Sequence, residues 1–148
     1  MINIRKATLD DETRVIELIK EFPEGEIVVD WNKAGAAFRE IIKDPDRGIV
    51  FVAEEDGVVA GVVTMSFPFA TRCAGRYSCL EEVIVGERLR GKGIGGKLLE
   101  AAIAEATEKG CYELQVNRPS EMGYPVYLRH GFLDLGKHLN LKLPRTTT

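Results

Sequence analysis

Histidine is nearly missing from this sequence. His130 and His138 are the only two, too few and too scattered to suggest a metal site. Cysteine is sparse as well. Cys73, Cys79 and Cys111 give an odd count with no C-x-x-C spacing, which fits free thiols in a reducing cytosol better than a disulfide framework. Long apolar runs are lacking. The longest, Val58 to Val63, is broken by Gly61 and falls far short of the ~20 residues that span a bilayer. Asp10, Asp11 and Glu12 arrive before any long apolar run, so no signal peptide is expected. No block of Lys and Arg exceeds two residues, and the net charge is −3, which argues against a broad nucleic-acid face. The expectation is a cytoplasmic protein with no metal, no nucleic-acid partner and no membrane partner.

What is present is enough apolar residue, 45% of 148, for one ordinary core. A single domain over residues 1–143 with a tail at 144–148 is expected. Ile2 to Ala7 alternates like a strand. A helix follows, capped at Thr8 or Asp10, burying Val15, Leu18, Ile19 and Phe22 and stopped by Pro23 and Gly25. Glu21, Glu24, Glu26 and Asp30 make the next connection acidic. A second helix, Asn32 to Lys43, turns Ala34, Ala37, Phe38, Ile41 and Ile42 inward. Strands at Gly48–Glu54 and Val58–Phe67 flank an Asp56-Gly57 turn, a hairpin signal. Phe69 to Ser78 reads as a loop carrying Arg72 and Arg76.

The stretch from Cys79 to Lys97 organises the rest. Cys79 to Val85 reads as a strand ended by Gly86. Arg88, Arg90, Lys92 and Lys97 then crowd around Gly91, Gly93, Gly95 and Gly96. From Ile94 the period becomes helical through Leu98, Leu99, Ala102, Ile103 and Ala106, until Lys109-Gly110 ends the helix. Glycines at a helix start let backbone approach a ligand, and the unpaired first N–H groups favour an anion. The loop therefore reads as a phosphate or pyrophosphate cradle. Three patterns compete for it. A P-loop would need a hydroxyl where Leu98 stands. Gly91, Gly93 and Gly96 match the dinucleotide G-x-G-x-x-G, but five residues separate them from the strand and the next strand ends at Asn117 and Arg118 rather than in an acid. Arg90-x-x-Gly93-x-Gly95 is the third. Beyond it lie a strand at Cys111–Val116, a turn to Met122, a short helix at Gly123–His130, and one or two closing strands within Phe132–Leu143.

The third pattern resembles the [QR]-x-x-G-x-[GA] signature of the GNAT superfamily of acetyl-CoA-dependent N-acetyltransferases. Gly123 to Phe132, with Tyr127 and Gly131-Phe132, is similar to that family's A-x-x-F-Y-x-x-x-G-F element. Gly123 replaces its alanine, Ser120 stands where an asparagine is frequent, and Pro125 is unusual. The order β-α-α-β-β-β-α-β-α-β is also the family's order. The resemblance implies an α/β fold: a mixed, mostly antiparallel sheet of six to seven strands flanked by about four helices. It implies acetyl-CoA as co-substrate, an amine acceptor, and a possible homodimer. The pyrophosphate would lie on Arg90, Gly91, Lys92, Gly93, Ile94, Gly95 and Gly96. Backbone N–H groups near Val83, Ile84 and Val85 would polarise the thioester carbonyl on a strand splayed from its neighbour. Tyr127 resembles the family's general acid.

The base is open between Glu81 and Glu82. Consecutive strand residues face opposite sides, so one of the two is expected to reach the acyl site and the other not. A glutamate on the following strand is ruled out at Gln115, and no histidine stands near Cys79 or Cys111 in sequence to support a covalent cysteine relay. Two alternatives to the enzyme stay open: an acyl-CoA-binding or sensing module on the same fold, and a nucleotide-binding protein using Gly91–Lys97.

Overall fold

The computed structural model describes residues 1–21 and 29–144. Phe22, Pro23, Glu24, Gly25 and Glu26, read above as a helix stop and an acidic connection, lie outside the described residues. So does the tail beyond Pro144. The elements in chain order are β1 (Ile2–Lys6), α1 (Glu12–Lys20), α2 (Trp31–Lys43), β2 (Gly48–Glu55), β3 (Val58–Ser66), β4 (Phe69–Ala70), β5 (Gly75–Arg76), β6 (Ser78–Val85), α3 (Ile94–Glu108), β7 (Leu114–Val116) and α4 (Tyr124–Arg129). They gather into two compact units, Met1–Val116 and Asn117–Thr148.

In the first unit five strands form one sheet in the order β1-β2-β3-β6-β7. Every pairing is antiparallel except β6 with β7. The hairpin between β2 and β3 closes on Asp56 and Gly57, both at positive φ as this two-residue turn requires. Consecutive residues of β3 face opposite layers. Val62 joins Val15 and Leu18 of α1 and Phe38 of α2 in one core cluster. Gly61 faces the other way, and a side chain there would press on Ile94 and Leu98 of α3. Each fully buried aliphatic side chain of these layers contributes roughly 1.5–3 kcal/mol.

The α1 start is tied to the sheet by charge. Arg5 meets Asp11 at 2.8 Å and Glu54 at 2.6 Å, and the guanidinium holds the Asp11 carboxyl below its ordinary range. Asp30 caps α2 through the N–H groups of Asn32 and Lys33. Ala37, expected inward, is exposed. Gly35 takes the buried position instead, because a side chain there would meet the Glu12 carboxylate at 2.9 Å.

Three expectations for the sheet change. The stretch after Pro68 is not a plain loop: β4 and β5 form a small ribbon around a turn at Thr71–Cys73. The strand expected at Cys111–Val116 is shortened to β7. The closing strands expected at Phe132–Leu143 are not formed, so the main sheet has five strands rather than six or seven. Leu133, Leu135, Leu139, Leu141 and Leu143 stay exposed there, without the burial that holds a strand in a sheet. In the second unit, Gly131 at positive φ ends the turn after α4, and the Tyr127 and Phe132 rings lie 5.4 Å apart. No described helix is long and apolar enough to cross a membrane.

Candidate active site

β6 changes character along its length. Ser78, Cys79 and Leu80 pair with Leu114, Gln115 and Val116 of β7 on one side. On the other side β6 pairs with β3 as far as Val85. From Glu81 onward β6 therefore has no β7 partner. Gly86 N–H donates to the Ala60 carbonyl at 2.8 Å. Antiparallel pairs alternate, so stepping back by twos makes Ile84–Val62 a hydrogen-bonded pair. Val83 and Val85 then turn their N–H and C=O groups away from β3, toward the side β7 has left. This is the splay that the resemblance implies, and it presents two backbone donors, Val83 and Val85. Ile84 directs its own toward β3.

The cradle adjoins this open half. Gly91 and Gly93 adopt left-handed backbone with φ of 82° and 78°, and a side chain added at either would meet nothing within 4 Å. Packing does not explain these glycines; their left-handed backbone does, with open space around both. Gly93 is the N-cap of α3 and no side chain caps it. Fifteen residues of helix thus begin with N–H groups of Ile94, Gly95 and Gly96 available to an oxyanion. Lys92 lies 3.9 Å from Glu55. Arg90 does more than carry charge: its Nε donates to the Val85 carbonyl at 3.1 Å and closes the loop onto the end of β6.

The two glutamates overturn the alternation expected of them. The register of β3 and β6 shifts between Thr64 and Met65, with Thr64 opposite Glu82 and Met65 opposite Leu80. Glu81 is the extra residue of a β-bulge, and the bulge puts Glu81 and Glu82 on the same face. Their partners confirm it. Ser66 Oγ donates to Glu81 at 2.6 Å, and Thr64 Oγ1 donates to Glu82, from positions two residues apart on β3. Thr64 Oγ1 also accepts the Glu82 N–H at 3.1 Å. The contact of Thr64 with Glu82 was not visible in the sequence, because it depends on a register that composition does not encode.

Burial and the neighbouring Glu81 carboxylate push the Cys79 thiol up to about 11. It stays protonated at neutral pH, which disfavours it as a nucleophile. Gln115, opposite Cys79, donates to Glu113 at 2.7 Å, and Arg72 meets the same carboxylate at 3.0 Å. Among the described residues no group of three or more His, Cys, Asp or Glu side chains could hold a metal.

Tyr127 belongs to the second unit. It is buried, and burial pushes its hydroxyl up to about 12. The departures around it have a shared cause. Ser120 Oγ accepts the Gly123 N–H at 2.9 Å, and a side chain on Gly123 would stand 3.0 Å from that oxygen and 3.2 Å from the Tyr127 ring. Ser120 and Gly123 thus fit each other, and Pro125 is accommodated in the first turn of α4.

A model of the acetyltransferase (GNAT) family matches residues 12–132. Glucosamine 6-phosphate N-acetyltransferase 1 of Oryza sativa is 30% identical over 111 residues, 72% of this chain and 66% of that enzyme. The aminoalkylphosphonate N-acetyltransferase of Salmonella typhimurium is 29% identical over 131 residues, 87% of this chain and 83% of its own length. In fold, a predicted acetyltransferase from Clostridium acetobutylicum solved with acetyl-CoA superposes with a TM-score of 0.80 at 24% identity, covering 96% of both chains.

Proposed function

Because this chain belongs to the acetyltransferase (GNAT) family and is an acyltransferase, we propose that it moves the acetyl group of acetyl-CoA directly onto a primary amine of a small acceptor. The observation that carries this reading is the end of β6–β7 pairing at Leu80, beside the uncapped, glycine-opened start of α3. A thioester anchored by its pyrophosphate on residues 90–96 would run along the open half of β6. The N–H of Val83 or Val85 would stabilise the oxyanion of the tetrahedral intermediate. Glu81 and Glu82 supply the proton acceptor for the amine, and Tyr127 the proton for the departing thiolate. A hydroxyl held near 12 is protonated at neutral pH, the state a donor needs. The family match runs from residue 12 to 132 and so crosses from one compact unit into the other, which supports one catalytic domain over residues 1–143.

The two curated relatives are named for acceptors that join an amine to a phosphate or phosphonate. Arg72, beside Arg76 on the ribbon that precedes β6 and paired with Glu113, is a residue suited to such an oxyanion. Three free thiols among the described residues agree with a cytoplasmic setting.

The test is thiol release from acetyl-CoA with glucosamine 6-phosphate, 2-aminoethylphosphonate, their dephosphorylated counterparts and simple alkylamines. Turnover with any amine supports the reading, and faster turnover with the phosphorylated member of a pair supports the Arg72 role. Tight acetyl-CoA binding with no turnover across the panel would favour a sensing module. Binding of ATP or NADPH in preference to acetyl-CoA would favour a nucleotide-binding protein.

A further inference from the structure

The bulge offers two carboxylates where one base is needed, and their surroundings differ. Glu81 is exposed, held by the Ser66 hydroxyl and close to the Cys79 thiol. Glu82 is half-buried, and its hydroxyl partner Thr64 is 5% exposed. A hydroxyl has one proton to give. At Thr64 both ends of the hydroxyl serve one residue: Oγ1 accepts the backbone N–H of Glu82 and donates its proton to the carboxylate of that same residue. The Glu82 carboxylate is therefore held against its own backbone through a buried side chain of the neighbouring strand. Among the described residues, Glu81 is held by a rim hydroxyl and a thiol. A neutral hydroxyl orients a carboxylate and leaves its charge in place.

We propose that Thr64 is a positioning residue that makes Glu82, rather than Glu81, the proton acceptor for the amine. This rests on the acetyl-transfer reading above. The acceptor enters as R–NH3+. Glu82 takes one proton to become the carboxylic acid, and the lone pair of R–NH2 forms the C–N bond to the acetyl carbonyl carbon. The C–S bond then breaks. A second proton of the nitrogen replaces the one donated to the thiolate, and Glu82 returns its own proton to solvent. The sum is R–NH3+ plus the thioester giving the amide, the thiol and one proton.

Steady-state kinetics with the best amine of the panel test this. Thr64→Val keeps the shape and deletes the hydroxyl. It is expected to lower kcat about 10-fold or more, the scale of a hydrogen bond to a charged group, with acetyl-CoA affinity and acceptor KM nearly unchanged. Thr64→Ser, which restores the hydroxyl, should recover most of the rate. Ser66→Ala should change kcat by less than about 3-fold, the scale of an exposed bond. A weakly basic amine, neutral before it binds, should lose much less from Thr64→Val than an alkylamine does. The assignment is overturned if Ser66→Ala costs more kcat than Thr64→Val, if Thr64→Ser is as slow as Thr64→Val while both bind acetyl-CoA normally, or if the neutral amine suffers equally. If the wild type binds acetyl-CoA and acetylates no amine, the acetyl-transfer reading itself has failed and the assignment falls with it.

Discussion

The two halves of β6 make a controlled comparison inside one strand. Ser78 to Leu80 all pair with β7, Cys79 and Leu80 pair with β3 as well, and all three are buried. Glu82 to Val85 pair with β3 alone, and Glu81 is the bulge residue between the two halves. The chemistry of the strand changes at the same point, from buried small and apolar residues to two carboxylates and outward-facing peptide groups. A backbone group used by the ladder is not available to a substrate, so the sheet must stop on one side for the site to begin. The bulge at Glu81 sits at that boundary. The paired half should express substitutions as stability, and the open half with its accessories should express them as kinetics.

The largest kinetic effect is expected from Tyr127→Phe. Phenylalanine keeps the ring and its packing against Phe132 and deletes only the hydroxyl. If that hydroxyl protonates the thiolate, kcat should fall ~10²–10⁴-fold with acetyl-CoA affinity nearly intact. Because burial raises this group from its ordinary 10 to about 12, the wild-type rate should hold through pH 10, where an ordinary tyrosine would be half ionised. The same shift has a stability consequence. The unfolded chain ionises Tyr127 near 10 and the folded one near 12, so its contribution is complete below 10 and is lost as pH rises toward 12. Single-turnover mixing decides the kinetic part: an unchanged chemical step would leave Tyr127 as packing alone.

On the paired half the counterpart is Leu80→Ala. Leu80 is 3% exposed, and its truncation should cost about 2–5 kcal/mol of unfolding free energy, read by denaturant titration. Loss of activity should track loss of folded protein. A stably folded variant with unimpaired Tm and damaged kcat would place Leu80 with the open half and dissolve the boundary drawn at the bulge.

The loop glycines sharpen the contrast further. Gly93→Ala imposes left-handed backbone on a residue with a Cβ, costing about 1–2 kcal/mol, and should weaken acetyl-CoA binding while lowering Tm. Gly95 is already helical, and a side chain there would lie at an ordinary 3.7 Å from Val85 Cγ2. Gly95→Ala should leave Tm unchanged or slightly raised, by up to about 1 kcal/mol of helix propensity. A weaker acetyl-CoA complex in that variant, measured by calorimetry, would report the ligand's approach and nothing else. Wild-type affinity in both variants would move the cradle elsewhere.

Much of this arrangement was legible in the sequence, and the misses share a cause. The glycine loop before α3, the Asp56-Gly57 hairpin, the α3 stripe and the Tyr127 helix are local: spacing within about fifteen residues specifies each. The bulge, the pairing of β4 with β5 and the end of the β6–β7 ladder depend on which strand lies opposite, a property of pairs distant in sequence. Glu81 and Glu82 were expected to face opposite sides for that reason, and the bulge puts them on one face. Phe132 to Leu143, read as one or two strands, forms none, and its leucines stay exposed.

Arg90→Ala should have the smallest effect and separates two roles in one side chain. Its Nε holds the Val85 carbonyl, which steadies the loop, and the remaining guanidinium donors suit a phosphate oxygen. The backbone donors of Gly91–Gly96 remain in the variant, so the loss of acetyl-CoA affinity should be about 3–10-fold, the scale of one net hydrogen bond. The two roles respond differently to salt. Attraction between an exposed guanidinium and a phosphate weakens as ionic strength rises, whereas a loop that has lost its tether to β6 stays loosened at any salt concentration. Arg90→Lys restores the charge without a fork that can reach the carbonyl and the phosphate together. A penalty that shrinks in high salt and is rescued by lysine assigns Arg90 to the ligand. A penalty constant in salt and unrescued assigns it to the carbonyl of Val85, and so to the frame that holds the open half of β6 in place.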